Sequence, residues 1–173
     1  DPENAGEEAR LTAKMRKAAF LMQLKAEGAI IERRPEYAMQ DRNILRNIDL
    51  QAGTFFGTKL NNTYFPNVDK TDPLRFTSAE REIVEGLKRS FRASEKLGRH
   101  VAFLIRRGSA YKICNNNLIF HGCVPLESDG SYANFCGFEG RALLDHCESM
   151  VRRAYAAFKS GKEDEEALDF FFY

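Results

Sequence analysis

The feature that most constrains the fold is a pair of short apolar runs in residues 110–124, AYKICNNNLIFHGCV, joined through Asn115 and Asn116. Their period of two predicts two strands, and the asparagines predict a tight hairpin turn because asparagine tolerates a positive φ angle. In the second strand one face carries Leu118, Phe120, Gly122 and Val124, and the other carries Ile119, His121 and Cys123. Because both faces are mostly apolar, we expect this strand to be covered on both sides.

His121 lies at the end of that strand, so the same pattern predicts a nearly dry imidazole. Desolvation favours the neutral form of histidine, which is the form that coordinates metals. Buried polar groups are usually satisfied by a simple hydrogen bond, and this favours a core histidine bonded to a carbonyl oxygen. Periodicity alone does not decide between the two interpretations.

Helical periodicity predicts the structure of the first third of the chain. A helix is expected from Glu7 to Ile31. Its apolar positions near helical spacing are Leu11, Met15, Ala18, Met22 and Ala29. A helical turn over residues 39–47 then leads to a hairpin around Gly57 and Thr58, flanked by Phe55, Phe56 and Leu60.

A longer helix is predicted to begin at the capping box formed by Thr77 and Glu80 and to run to Arg107. Gly108 is expected to end it in the left-handed conformation. One side of this helix carries Ile83, Leu87, Phe91, Leu97, Val101 and Leu104, and the other carries Lys88, Arg92, Lys96 and Arg99. The four cations could clamp a phosphate. A solvated face is favoured, because Glu85 and Glu95 precede Arg89 and Arg99 by four residues.

Composition excludes several classes of function. The chain has 173 residues, of which 43% are hydrophobic, which is enough for one domain with a core. Lys and Arg number 26 against 25 Asp and Glu, so no general attraction to nucleic acid or to an acidic membrane is expected. No apolar stretch is long enough to span a bilayer, and the acidic start is unlike a signal peptide, so a cytoplasmic protein is expected. The four cysteines lack a CxxC pair, which favours reduced thiols.

The architecture expected from these patterns is α+β and mostly helical, with three substantial helices and two β-hairpins. The acidic segment at residues 162–166 is interpreted as a solvated loop or a helix start. The absence of an initiating Met and the closing apolar run LDFFFY suggest that the chain is an internal fragment. Uncovered strand edges and apolar faces favour self-association, so the chain could form a homo-oligomer.

The string NLIFHGCVP resembles the strand-plus-HG element of calcineurin-like metallophosphoesterases, in which the histidine is one ligand of a two-metal centre. Residues 29–39, 94–130 and 140–156 resemble one family in particular, the class III fructose-1,6-bisphosphatases of bacteria. The LGRH, NNNLIFHGC and RRP blocks carry this resemblance.

The resemblance implies an α/β sandwich enzyme with a helical insertion. Residues 1–108 would be the insertion with its small hairpin, and residues 109–173 would belong to the phosphoesterase core. The implied activity is removal of the 1-phosphate of fructose 1,6-bisphosphate in gluconeogenesis, at a dinuclear manganese centre. Two such ions, about 3.5–4 Å apart, clamp phosphoryl oxygens and lower the pKa of a bridging water. His121 would be a metal ligand, and Gly122 would allow a close approach.

The family's other ligand motifs, DxH, GDxxDR, GNHD and a later GH motif, do not occur in this sequence. One ligand cannot complete a dinuclear site, so the isolated chain is expected to lack phosphatase activity. Arg33, Arg34, Lys96 and Arg99 are candidate contacts for substrate phosphates in the complete enzyme, and their alternative role is surface or interdomain pairing.

Two further classes of function stay open at this point. A zinc-binding module could use His121, Cys123, His146 and Cys147, although their spacing matches no zinc knuckle. A helical interaction domain without catalysis would fit the amphipathic helices and the missing ligands. A Cys123 nucleophile is disfavoured, because His121 lies on the same strand face and no orienting acid is indicated.

Overall fold

A computed structural model describes residues 6–173, and it contains five α-helices and two small antiparallel sheets among them. The helices are α1 (Glu7–Arg33), α2 (Ser78–Ala93), α3 (Glu95–Arg107), α4 (Gly140–Lys159) and α5 (Glu165–Phe172). The strands are β1 (Ile48–Asp49), β2 (Thr54–Phe55), β3 (Thr58–Lys59), β4 (Tyr111–Cys114) and β5 (Asn117–Phe120). Short 3₁₀ turns occupy Pro35–Tyr37 and Gln40–Arg42. The mostly helical α+β character is therefore confirmed.

The chain divides into two compact units, one ending at Ser90 and the other running from Phe91 to Tyr173. The division falls within α2. No helix of residues 6–173 has both the length and the apolarity that a membrane span requires.

The first unit is built on the second half of α1. Its core contains Leu21, Leu24, Leu45, Val68 and Leu74. The predicted start of α1 is confirmed, but the predicted apolar face is wrong. Leu11 and Met15 are 57% and 64% exposed, whereas the residues that pack are Leu21, Leu24, Gly28 and Ile31. Burial follows the segment after the helix, which supplies Leu45 and Leu74 only to its second half.

A buried ion pair joins α1 to the start of α2. The expected capping box is present, since Glu80 Oε2 accepts the Thr77 N–H at 2.8 Å and the Glu80 N–H points to Thr77 Oγ1 at 3.2 Å. Glu80 Oε2 also accepts a hydrogen bond from Lys25 Nζ at 2.7 Å, and Lys25 donates to the carbonyl of Asn67 at 2.7 Å. Lys25 is fully buried. The capping box thus serves as a contact between helices as well as a helix start.

The first sheet has three strands in the order β1-β2-β3, of which the sequence analysis predicted two. Phe55 pairs with Thr58, so the turn residues are Phe56 and Gly57, one position earlier than expected. Both have positive φ angles, 44° and 78°, as a tight hairpin turn requires. β1 has only two residues, which is too short for a periodic signal.

The single long helix predicted from residue 77 to 107 is wrong, because it is interrupted at Ser94. The Ser94 hydroxyl accepts the N–H of Leu97 at 3.3 Å and so begins α3 as its N-cap. Gly108 does not adopt the expected left-handed conformation, since its φ is −80°. A Cβ on Gly108 would instead lie 2.6 Å from the carbonyl oxygen of Leu104, so glycine is needed there for a close backbone approach.

The second unit contains a small core between α4 and α5. Met150, Ala154 and Ala167 are buried in it, and Phe170 packs against them. The Asp164 carboxylate accepts the N–H of Ala167 at 3.1 Å and caps α5. The acidic segment is therefore a helix start, as one of its two interpretations held. All four cysteines are free, as predicted.

Candidate functional site

The hairpin β4–β5 carries the histidine that the sequence analysis singled out. Its register pairs Tyr111 with Phe120 and Cys114 with Asn117. Asn115 and Asn116 form the turn with φ angles of 49° and 60°. The predicted hairpin and its turn residues are confirmed.

His121 follows β5 directly and is exposed. The prediction of a dry imidazole on a strand covered on both sides is therefore wrong for this chain. Ile113, Ile119 and Phe120 are 53%, 56% and 39% exposed, because β4 and β5 form a sheet of only two strands within the described residues. The His121 ring is accessible to groups that approach the end of the hairpin.

Gly122 turns the chain away immediately after His121. Its φ is 92°, a conformation that residues with a Cβ rarely adopt. A Cβ at this position would meet no described atom within 4 Å. Within residues 6–173, glycine is thus explained by the backbone conformation, and a close approach by another group stays a prediction.

The histidines and cysteines of the zinc alternative do not form a metal site. No group of three or more His, Cys, Asp or Glu residues in the described chain could hold a metal ion. The His146 ring stacks on Phe138 with centroids 4.1 Å apart and meets the edge of Phe170 at 5.0 Å. Partial burial raises the pKa of the Cys147 thiol, which disfavours the thiolate that metal binding requires. The donor chemistry therefore fits one ligand position at His121 and not a complete centre.

The four candidate phosphate contacts divide between the two units. Arg34 Nη1 lies 3.8 Å from Glu36 Oε1 just beyond the end of α1, and Arg33 is the last residue of that helix. Lys96 and Arg99 are exposed in the first turns of α3.

Two other cations of the predicted polar side have carboxylate partners, in line with a solvated face. Lys88 pairs with Glu85 at 3.1 Å, and Arg92 pairs with Glu163. Glu85 therefore bonds to the residue three positions later and not to Arg89 as expected.

A row of charged side chains on α4, which was not predicted from the sequence, contacts the chain from the end of α3 to the first residue of β4. The row consists of Arg141, Asp145, Glu148 and Arg152, which we call the α4 polar row. Spacings of four, three and four residues place them on one face of the helix. That spacing was the signal available in the sequence.

Glu148 of the α4 polar row contacts the segment between α3 and β4. Its Oε2 accepts the Ser109 hydroxyl at 2.6 Å and the Ala110 N–H at 3.1 Å, and its Oε1 accepts Arg152 Nη2 at 2.7 Å. These bonds, led by that from Ser109, lower the pKa of the Glu148 carboxyl. The carboxylate is therefore held in its charged form at the α3–β4 junction.

Comparison with known proteins assigns the chain to a family. The sequence profile of Firmicute fructose-1,6-bisphosphatase matches residues 1–173. The chain is 42% identical over 174 residues to a class 3 fructose-1,6-bisphosphatase of Clostridioides difficile, covering 96% of this chain and 26% of that protein. It is 40% identical over 175 residues to the class 3 enzyme of Clostridium novyi, with the same shares covered. It is 42% identical over 173 residues to that of Bacteroides thetaiotaomicron, covering 95% of this chain and 26% of that protein.

No solved structure matches the chain. The chain spans about a quarter of the length of the curated relatives it matches. The profile match over every residue and the identity near 40% agree with the blocks singled out in the sequence. The chain belongs to the Firmicute fructose-1,6-bisphosphatase family, whose curated relatives are class 3 fructose-1,6-bisphosphatases.

Proposed function

We propose that this chain is one segment of a class 3 fructose-1,6-bisphosphatase that hydrolyses the 1-phosphate of fructose 1,6-bisphosphate to give fructose 6-phosphate and phosphate. The observation that carries the proposal is the match to enzymes of that name along 95–96% of this chain. Because the chain spans 26% of those relatives, the activity belongs to the longer polypeptide. We propose a cytoplasmic enzyme with a calcineurin-like sandwich core.

His121 is the residue through which the chain contributes to catalysis in this proposal. Its exposed position at the end of β5 leaves the imidazole able to offer a lone pair to a group outside residues 6–173. Imidazole is an accepted ligand of divalent transition metals. A dinuclear manganese centre, when bound, would supply charge neutralisation at the phosphoryl group and an activated water. The left-handed Gly122 would keep the chain clear of that region.

The basic residues are the proposed phosphate contacts. Arg33, Arg34, Lys96 and Arg99 carry the donor groups that bind phosphate in proteins. Alanine substitution of any one of them in the full-length enzyme is expected to raise KM for the bisphosphate. Unchanged kinetics would remove that residue from the site.

An assay of phosphate release tests the proposed function directly. The full-length polypeptide containing this chain, supplied with Mn²⁺, is expected to release phosphate from fructose 1,6-bisphosphate and to leave fructose 6-phosphate intact. The 173-residue chain alone is expected to release none, because it contributes a single ligand. Inactivity of the full-length polypeptide would contradict the proposed reaction. Phosphate release by the isolated chain would contradict the incomplete site.

A further inference from the structure

The hairpin that carries His121 needs an external support to hold a fixed position. A two-stranded hairpin is marginally stable in water on its own. The faces of β4 and β5 supply little packing, since Ile113, Leu118 and Ile119 are 53%, 41% and 56% exposed. Within residues 6–173, the support for the hairpin therefore comes from contacts near its base.

Tyr111, the first residue of β4, makes such contacts with α4. Its hydroxyl donates to Asp145 Oδ1 at 2.8 Å and accepts a hydrogen bond from Arg141 Nε at 2.8 Å. The Arg141 guanidinium also lies 5.5 Å from the centroid of the Tyr111 ring, within the range of a cation–π contact. The Tyr111 hydroxyl thus makes two hydrogen bonds to α4, one as a donor and one as an acceptor.

A second contact fixes the chain just before β4. Glu148 accepts hydrogen bonds from the Ser109 hydroxyl and the Ala110 N–H, and Arg152 donates to the carbonyl of Ile105 at 2.8 Å. These bonds hold the end of α3 and the entry to β4 against α4. The backbone is therefore fixed against α4 immediately before Tyr111, the first residue of β4.

The register of the hairpin carries this support to the histidine. Tyr111 is paired with Phe120, the residue directly before His121. Antiparallel pairing fixes the two backbones at a spacing of about 4.5–5.5 Å between Cα atoms. A displacement of Tyr111 on α4 would thus displace Phe120 and, through the chain, the backbone of His121 that follows it.

We propose that Tyr111, held by Asp145 and Arg141, is the positioning residue for His121. It fixes the end of β5, so that the hairpin does not have to become ordered when the His121 imidazole binds its metal. This inference rests on the proposed function, because it assigns His121 a metal ion as its partner. The Tyr111 hydroxyl and the Asp145 carboxylate contribute to this positioning through the same hydrogen bond.

The test uses the full-length enzyme and the variants Tyr111→Phe, Asp145→Asn and their combination. Tyr111→Phe removes only the hydroxyl and keeps the ring. We expect each single variant to weaken Mn²⁺ binding by about 10-fold, which is the smaller effect typical of groups that orient metal ligands. The combination should weaken it no further, since both substitutions break the same contact. Electron paramagnetic resonance of free Mn²⁺ during titration measures the affinity. The kinetic counterpart is a lower kcat at an unchanged KM.

Tyr64→Phe is the matched control, because Tyr64 is 72% exposed in the first unit. It should leave Mn²⁺ affinity and kcat unchanged. Wild-type Mn²⁺ affinity in Tyr111→Phe, together with loss of binding in His121→Ala, would overturn the positioning role alone. Mn²⁺ binding that survives in His121→Ala would overturn both this inference and the proposed role of His121. Additive losses accompanied by a lower Tm would show a merely structural contact and would also overturn it.

Discussion

At the scale of single residues, the contacts that matter most join positions far apart in the chain. The capping box at Thr77 and Glu80 can be predicted from the sequence, because its two residues lie only three positions apart. The partner of Glu80 is not, because Lys25 lies 55 residues earlier and is fully buried. Nothing in the sequence around Lys25 distinguishes it from Lys14, which is exposed on the same helix, since burial depends on what packs over the helix. His121 shows the opposite error, as an apolar pattern predicted burial and the residue is exposed.

Lys25→Met is expected to lower the free energy of unfolding by about 3 kcal/mol, because it leaves the buried Glu80 carboxylate without its cation. The long apolar side chain of methionine keeps most of the packing. Urea unfolding of the purified chain measures the change. Lys14→Met is the control, since Lys14 is exposed on the same helix. Equal stabilities of the two variants would contradict the importance of the buried pair.

The pH dependence of the free energy of unfolding is expected to reflect the ion pair between Lys25 and Glu80. Burial would raise the pKa of Glu80, but hydrogen bonds from Lys25 and Thr77 outweigh it and hold the pKa below its ordinary value of 4.5. A carboxylate with a lowered pKa in the folded state contributes stability above its unfolded pKa, and this contribution is lost as pH falls through the folded pKa. Stability should therefore fall more steeply with acid in the wild-type chain than in Glu80→Gln. Glu82→Gln, at an exposed position of α2, should retain the wild-type slope.

At the scale of secondary structure, local signals predicted where most elements lie but not how they end. The capping box, the Asn115–Asn116 turn and the acidic start of α5 were predicted because each is satisfied within a few residues. The interruption at Ser94 was missed, since a serine within a strong amphipathic pattern can either continue a helix or cap a new one. The predicted left-handed conformation of Gly108 was wrong, because a glycine just beyond a helix can be required either by a left-handed cap or by a close contact.

Two glycine-to-alanine substitutions test the close contact at Gly108. Gly108→Ala is expected to destabilise the chain by about 1–3 kcal/mol, because its Cβ would lie 2.6 Å from the carbonyl oxygen of Leu104. Gly98→Ala, within α3 and with no atom near its added Cβ, should stabilise it by about 0.5–1 kcal/mol. Thermal unfolding of both variants makes the comparison. Stabilisation by Gly108→Ala would contradict the close-approach explanation.

At the scale of the whole molecule, the sequence motifs indicated the family correctly, whereas the apolar patterns did not show which faces are covered. Periodicity predicted apolar faces on α2 and α3, yet Leu87, Phe91 and Leu104 are 52%, 64% and 62% exposed. A pattern of apolar residues indicates that a helix face packs against another surface. It does not indicate whether that surface belongs to these 173 residues. The same limit applies to His121, the one proposed metal ligand, because further ligands would have to come from outside residues 6–173.

Exposed apolar residues of this extent favour association of the isolated chain. Sedimentation velocity is expected to show a mass that rises with protein concentration. Substituting both Phe91 and Leu104 by glutamine should reduce the association, whereas Lys88→Gln should not. A single monomeric species at every concentration would contradict this expectation.

The proposed metal-binding role of His121 is tested by the manganese content of the full-length enzyme with His121→Ala, measured together with hydrolysis of fructose 1,6-bisphosphate. We expect this variant to retain less Mn²⁺ and to lose turnover, whereas His100→Ala, at an exposed position of α3, should retain both. Full manganese occupancy and wild-type turnover in His121→Ala would contradict the role of His121 as a metal ligand.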